Sequence, residues 1–279
     1  MSMSTLTRLV TTIAGVDHEV VVDRAHDLSI WMDLQGPQPN AFGLPRAQST
    51  AYSTGDWRAS VEAGAGFNCD VLTLAPHGNG THTECVGHIS AHEVFVYEQL
   101  EHLLMPATLL SVPLHILSTT QEHYGDVCDP SDLVITAQAL HEAFERIDAD
   151  ATWMQALVVR TLPNDKGKCR AQYSGHNPAY LTCEAMEWIL KRGVEHLLVD
   201  VPSVDREEDD GLMLNHHSFW HVPQGSHEHS ERALGRTITE MIWAPSSVSD
   251  GAYVLNLQVP SLMTDAAPSR PLLFDVKPL

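Results

Sequence analysis

Apolar residues in this chain gather in short, dense runs. Five of them, DVLTLAP (70–76), ATLLSVPLHIL (107–117), ALVVRT (156–161), HLLVDVPSV (196–204) and AYVLNLQVP (252–260), have the length and the Val, Leu and Ile content of buried strands. Two other segments carry the helical period. TAQALHEAFERI (136–147) opens on Thr136, a good N-cap, and sets Leu140, Phe144 and Ile147 on one face. TCEAMEWILKRG (182–193) opens on Thr182, groups Met186, Ile189 and Leu190, and stops at Gly193. A helix followed by a short loop and a buried strand predicts a mixed α/β layer arrangement. No internal repeat or long low-complexity linker divides the chain, so a single domain over residues 1–279 is expected, with about the first 20 residues as an N-terminal extension. The polar, histidine-rich stretch 205–235 reads as an insertion or a long loop.

Composition narrows the function classes. Hydrophobic residues make up 43% and charged residues 19%, as in an ordinary globular protein. Lys+Arg number 16 against Asp+Glu 36, a formal charge of −20, which argues against nucleic acid or an anionic membrane as partner. Five scattered cysteines with no C-x-x-C pair form neither a disulfide framework nor a zinc knuckle. No apolar run reaches the ~18 residues of a membrane span, and the first residues carry no signal-peptide pattern. A cytoplasmic protein acting on a small molecule is the expectation. Seventeen histidines are many for this length and hint at a metal site.

The hint concentrates in HGNGTHTECVGH (77–88), which is too polar for a core strand and too rich in glycine for a helix. His82 and Glu84 are two residues apart, so on an extended chain they share a face. His88 reaches that face if the chain turns at Gly87. Imidazole and carboxylate are the donor set of zinc, and also suit manganese or iron. Gly80 permits close backbone approach, and the Thr81 hydroxyl can orient ligands.

GTHTECVGH resembles the H-x-G-T-H-x-D-x-x-x-H signature of the cyclase-type metal hydrolases, the family that includes bacterial kynurenine formamidase. The resemblance continues in order through EWILKRGVEHLLVDVPSVD, NHHSFW (215–220), TITEMI (237–242) and DAAPSRPLL (265–273), covering roughly 20 to 275. It implies an α/β fold, a single mixed-sheet domain of the swivelling β/β/α kind, assembled into a homo-oligomer (dimer or tetramer). It also implies one or two divalent ions, zinc first and manganese second. His82 falls on a ligand of the first metal, Glu84 on an aspartate contacting both, Glu240 on a bridging glutamate and His216 on the second-metal histidine. His88 falls on the proton-shuttling histidine, and Phe42, in NAFGLP, about where the family has a substrate-stacking tryptophan.

Two departures stand out. The family's first histidine belongs at position 78, which is Gly78, with His77 one residue early, and the aspartate has become Glu84. A one-residue bulge at Gly78–Asn79 would bring His77 to the metal; otherwise the site rests on His82, Glu84, His216 and Glu240. His217 is expected to pack or hydrogen-bond rather than ligate, and His221, His227 and His229 to lie on the surface. Cys85 should be a buried filler, Asp200 and Asp205 supports of the sheet end, and Arg270 the partner of a carboxylate. The implied reaction is hydrolysis of a C–N amide bond, with an arylformamide such as N-formylkynurenine as leading substrate. An isatin-like lactam or a lactone is an alternative, as is a non-catalytic binding protein of the same fold.

Overall fold

The structure, a computed structural model, describes residues 8–279. Ten strands form its main sheet: β1 (Leu9–Ile13), β2 (Val16–Asp27), β3 (His82–Glu84), β4 (Met105–Pro113), β5 (Ala156–Leu162), β6 (His196–Val199), β7 (Thr237–Glu240), β8 (Gly251–Asn256), β9 (Ala266–Pro268) and β10 (Leu272–Pro278). Their order across the sheet is β1-β2-β10-β8-β4-β5-β6-β7-β3-β9. The central four, β4 to β7, run parallel, and the strands outside them pair antiparallel. The expected mixed sheet is therefore present.

The parallel strands are apolar on both faces because both are covered. Leu157 and Val159 of β5 face a cluster with α1 (Ala137–Phe144) and α2 (Cys183–Lys191), whereas Ala156 and Val158 face Leu109, Leu198, Ile242 and Tyr253. Both helices start where the sequence predicts: Thr136 and Thr182 accept from the backbone N–H of Ala139 and Ala185. Such caps are worth about 1 kcal/mol each.

The structure departs from the sequence reading in several places, four of which bear on the fold around the site. Only Asp70–Thr73 of the run 70–76 is a strand, and it pairs with Gln48–Ala51 outside the main sheet, with Val71 48% and Leu72 57% exposed. A short apolar run has the same pattern buried or not, so its place in a sheet is a tertiary matter. The run 196–204 leaves the strand at Val199, where the buried Asp200 turns its carboxylate to the Thr161 N–H (2.9 Å) and Lys168 Nζ (2.8 Å). Residues 205–235 contain a helix, α3 (Leu214–Phe219), with Asn215, His216, His217 and Phe219 buried. From Leu9 onward the expected N-terminal extension is the β1-β2 hairpin, joined to the sheet through β10.

Candidate metal centre

Strand β3 is only three residues long and lies between β7 and β9, antiparallel to both. Register sets Glu240 opposite His82. Alternation then turns His82 and Glu84 to one face and Thr83 to the other, where its hydroxyl meets that of Thr239 at 2.8 Å. The preceding turn needs Gly80, whose φ of +130° disfavours a side chain and whose added Cβ would meet Met32 Sδ at 2.8 Å. Thr81 fastens the turn rather than a ligand: its hydroxyl donates to the Met241 carbonyl (2.6 Å) and accepts from the Ile30 N–H (2.8 Å).

The tautomer of His82 follows from its surroundings. Nδ1 lies 3.0 Å from the Gly80 carbonyl, which can only accept, so Nδ1 carries the hydrogen. The lone pair of the buried Nε2 then points at two carboxylates, Glu240 Oε2 at 3.4 Å and Glu84 Oε2 at 3.9 Å, and has no hydrogen-bond partner. A lone pair facing carboxylate oxygens is repulsive unless a cation sits between them.

His216 reaches the same point from α3. Its Nδ1 is bonded to Asp205, which also accepts the backbone N–H groups of Asn215 (2.7 Å) and His216 (3.1 Å). Its Nε2 faces Glu84 Oε1 at 2.9 Å and Glu240 Oε1 at 3.8 Å. A carboxylate behind a histidine whose other nitrogen faces a charge cluster is the usual support of a metal ligand. Glu240 is itself fixed by the Val204 N–H at 2.9 Å.

His77 also faces the site, from a turn of 3-10 helix, Pro76–Gly78. Its Nδ1 is 2.8 Å from Glu84 Oε2 and its Nε2 is 2.9 Å from Asp265 Oδ2. The Glu84 contact has the length but not the direction of a hydrogen bond, which leaves Oε2 a buried acceptor without a donor. His88 stacks on His77 with ring centroids 4.1 Å apart, its Nδ1 3.4 Å from Asp265 Oδ2. The bulge expected at Gly78–Asn79 is this 3-10 turn, and Gly78 serves it by close packing rather than by unusual dihedrals. A Cβ there would meet Leu44 Cδ1 at 2.6 Å and the Ala41 carbonyl at 3.0 Å, while the positive φ belongs to Gly80.

Electrostatics reflects the crowding of carboxylates. Burial opposes charge on His77, but Asp265 and Glu84 outweigh it and raise its pKa to about 10. Burial likewise opposes charge on His216, and Glu84 and Asp205 raise it well above the ordinary value. Against the penalty of burial, His88 and His216 hold Glu84 well below the usual carboxylate range. Bonds from His77 and His88 depress Asp265. The cluster demands positive charge at its centre. His82, Glu84 and Glu240 offer donor atoms within 4.8 Å of one another, as do His77, Glu84 and His88. Nitrogen and oxygen donors with two buried, partnerless atoms fit a divalent transition metal.

The cluster opens into a cavity of about 420 Å³ whose lining includes the apolar Phe42, Leu44 and Met213 and the charged Arg206 and Glu207. Phe42 holds a left-handed backbone (φ +57°), uncommon for a non-glycine residue. Every candidate residue named from the sequence therefore lies at or beside one site. Asp265 was missed as a site residue; its only signal was its place at the head of DAAPSRPLL. Asp205 was expected to support the sheet end and instead holds His216. Cys85 is buried beside the Val94 carbonyl, His217 bonds the Val222 carbonyl at 3.1 Å, and Arg270 pairs with Asp27 at 2.8 Å, as expected. His227 is exposed, and His221 and His229 are half-buried. His227 and His229 also pin the loop after His88, through the Ile89 carbonyl (2.9 Å) and Ser90 (2.8 Å).

A family model described as putative cyclase matches residues 18–206. Among solved structures, the chain is similar to a predicted metal-dependent hydrolase from Bacillus stearothermophilus, with 15% identity, TM-score 0.55, and 90% of this chain and 98% of that one covered. It is also similar to isatin hydrolase A from Labrenzia aggregata bound to benzyl benzoate, with 13% identity, TM-score 0.58, and coverage of 91% and 94%. A third is an isatin hydrolase bound to the product analogue thioisatinate, with 16% identity, TM-score 0.56, and 93% of each chain covered. At these identities the likeness is one of fold. No curated protein sequence matches the chain.

Proposed function

Because this chain belongs to the cyclase family, we propose that it is a metal-dependent hydrolase that cleaves the C–N bond of a small amide. The observation that carries the reading is His82 Nε2, a buried lone pair turned toward Glu84 and Glu240 with nothing to accept from. In this reading His82, Glu84, His216, Glu240 and His77 hold one or two divalent ions, zinc first and manganese second. A bound ion supplies Lewis-acid activation of the substrate carbonyl and of water, whose pKa falls from 15.7 to about 7 at a zinc site.

The chain's own residues do the rest. His88 lines the cavity without belonging to the inner cluster of His82, Glu84 and Glu240. It takes a proton from the attacking water as the new C–O bond forms, and gives a proton to the nitrogen as the C–N bond breaks. Asp205 fixes which nitrogen of His216 faces the site. Phe42, Leu44 and Met213 take the apolar part of the substrate and keep bulk water from the reacting carbonyl. A cavity of about 420 Å³ suits a substrate of one or two rings. An arylformamide such as N-formylkynurenine is the leading candidate. The likeness to two isatin hydrolases favours a cyclic amide of the isatin type as the second reading. The same reading makes the protein a cytoplasmic homo-oligomer; among the described residues no helix is long and apolar enough to cross a membrane.

The test is metal analysis joined to a substrate panel. Zinc- or manganese-loaded protein is offered arylformamides, lactams and lactones, with release of acid followed for each. Turnover of an amide that chelation abolishes and metal restores supports the reading. Stoichiometric metal without turnover of any member would reduce the protein to a small-molecule binder.

A further inference from the structure

Asp265 sits 188 residues from His77 along the chain, yet a single one of its oxygens, Oδ2, faces ring nitrogens of two histidines. The contacts are 2.9 Å to His77 Nε2 and 3.4 Å to His88 Nδ1, and the two rings stack. The His77 Nε2 contact is a hydrogen bond, and a carboxylate only accepts, so that nitrogen carries hydrogen; Nδ1 is the nitrogen that His88 turns to the same oxygen. That leaves His77 Nδ1, whose 2.8 Å contact with Glu84 Oε2 lacks the direction of a hydrogen bond, and His88 Nε2 as the nitrogens free to offer lone pairs. We propose that Asp265 is a positioning residue: it makes Nδ1 the metal-donating nitrogen of His77 and Nε2 the proton-accepting nitrogen of His88.

The assignment rests on the reading of the site as a metal centre and adds to it a division among the ligands. His82 and His216 have their Nδ1 atoms bonded to Gly80 and Asp205, so both present Nε2. His77, entering one residue early from a 3-10 turn, presents the opposite nitrogen. The early position is thereby accommodated, because Nδ1 lies closer to the backbone than Nε2 and suits a shorter reach. The backbone holds Asp265 in place independently of the histidines. Its carbonyl accepts the Cys85 N–H at 3.0 Å, and its Cβ packs over Gly87, where an added Cβ would come within 3.1 Å of it. Gly87 is thus the notch that lets the closing loop reach the histidine pair.

Isotope-labelled protein loaded with an NMR-active cadmium isotope gives a direct test, since scalar coupling to nitrogen marks each ligating atom. Coupling at His77 Nδ1 and at Nε2 of His82 and His216, with none at His88, is the expected result. Coupling at His77 Nε2, at either nitrogen of His88, or nowhere on His77 would overturn the assignment. The isosteric change Asp265→Asn should lower cadmium affinity about 10- to 100-fold, as losing a carboxylate behind a ligand does, and Asp265→Glu should recover part of it. Equal affinity in Asp265→Asn and the parent would sink the positioning role while leaving the metal centre standing. A parent protein that takes up no cadmium, zinc or manganese would remove the proposed function and this inference together.

Discussion

The two ends of β7 each hold a buried histidine from a neighbouring strand, and the two histidines live in opposite electrostatic worlds. At one end His196, on β6, faces Thr237, and its Nδ1 meets the threonine hydroxyl at 2.9 Å. Burial pushes its pKa down to about 4, so it is a neutral, hydrogen-bonded part of the core. At the other end His82, on β3, faces Glu240 and Glu84 with an unpartnered nitrogen. Both rings are nearly fully buried. Burial alone therefore yields a structural histidine; two inward-turned carboxylates and an unmade hydrogen bond yield a site. The chemistry also lies beyond the C-terminal ends of the parallel strands β6 and β7, where open α/β sheets place their ligands.

Several changes would sharpen or break this contrast, the largest first. His82→Ala should weaken zinc binding by more than about 100-fold, exceeding the loss from an outer partner, and abolish turnover with it. His196→Ala should leave zinc affinity as in the parent. Equal effects on metal uptake, read by competition with a chromogenic chelator, would erase the distinction between the two ends.

His88→Ala comes next. It should cut turnover about 10²- to 10⁴-fold, the usual share of general acid–base catalysis, with metal content unchanged. Loss of metal in this variant would move His88 among the ligands, where its proximity to His77 and Glu84 also permits it.

The structural histidine has its own signature in pH. An unfolded chain protonates His196 near 6.5, whereas the folded protein resists until about 4. Below pH 6.5 the unfolded state binds more protons, so stability falls as pH drops from 6.5 toward 4 and is fully present above that window. The shift corresponds to about 3 kcal/mol at most. Denaturant melts of the parent and His196→Gln across this range should diverge at pH 7 and converge toward pH 4; parallel curves would mean the ring is not held neutral.

The smallest effect belongs to the cavity wall. Gly78→Val should press on Leu44 and Ala41, and so on the loop bearing Phe42. The expected outcome is a rise in KM of about 10-fold, comparable to one misplaced apolar contact, with metal affinity near that of the parent. A large loss of metal instead would mean that the strain passes to His77 in the same 3-10 turn rather than into the cavity wall.

Much of the site was legible in one dimension because part of it is local. His82 and Glu84 share a face through strand alternation, and the ordered downstream segments carry His216 and Glu240. The helices were legible because capping and the 3.6-residue period are local too. Asp265 was not, since an aspartate in a closing loop looks like any other until the chain brings it back to His77. Asp205 was read as sheet support for the same reason. The stretch 205–235 looked like a loop because α3 is six residues long and buries its histidines, so polar composition masked a core helix.

By itself, then, the sequence determined the elements, the α/β class and the donor types gathered near residues 77–88, all of which depend on neighbours within a few positions. The tertiary structure alone decided which nitrogen of each histidine faces inward. That choice is made by whatever acceptor stands behind the ring, the carbonyl of Gly80, the carboxylate of Asp205 or that of Asp265. The two carboxylates, Asp205 and Asp265, come to their rings from distant parts of the fold, and no local pattern encodes where a folded chain will set an acceptor against a ring.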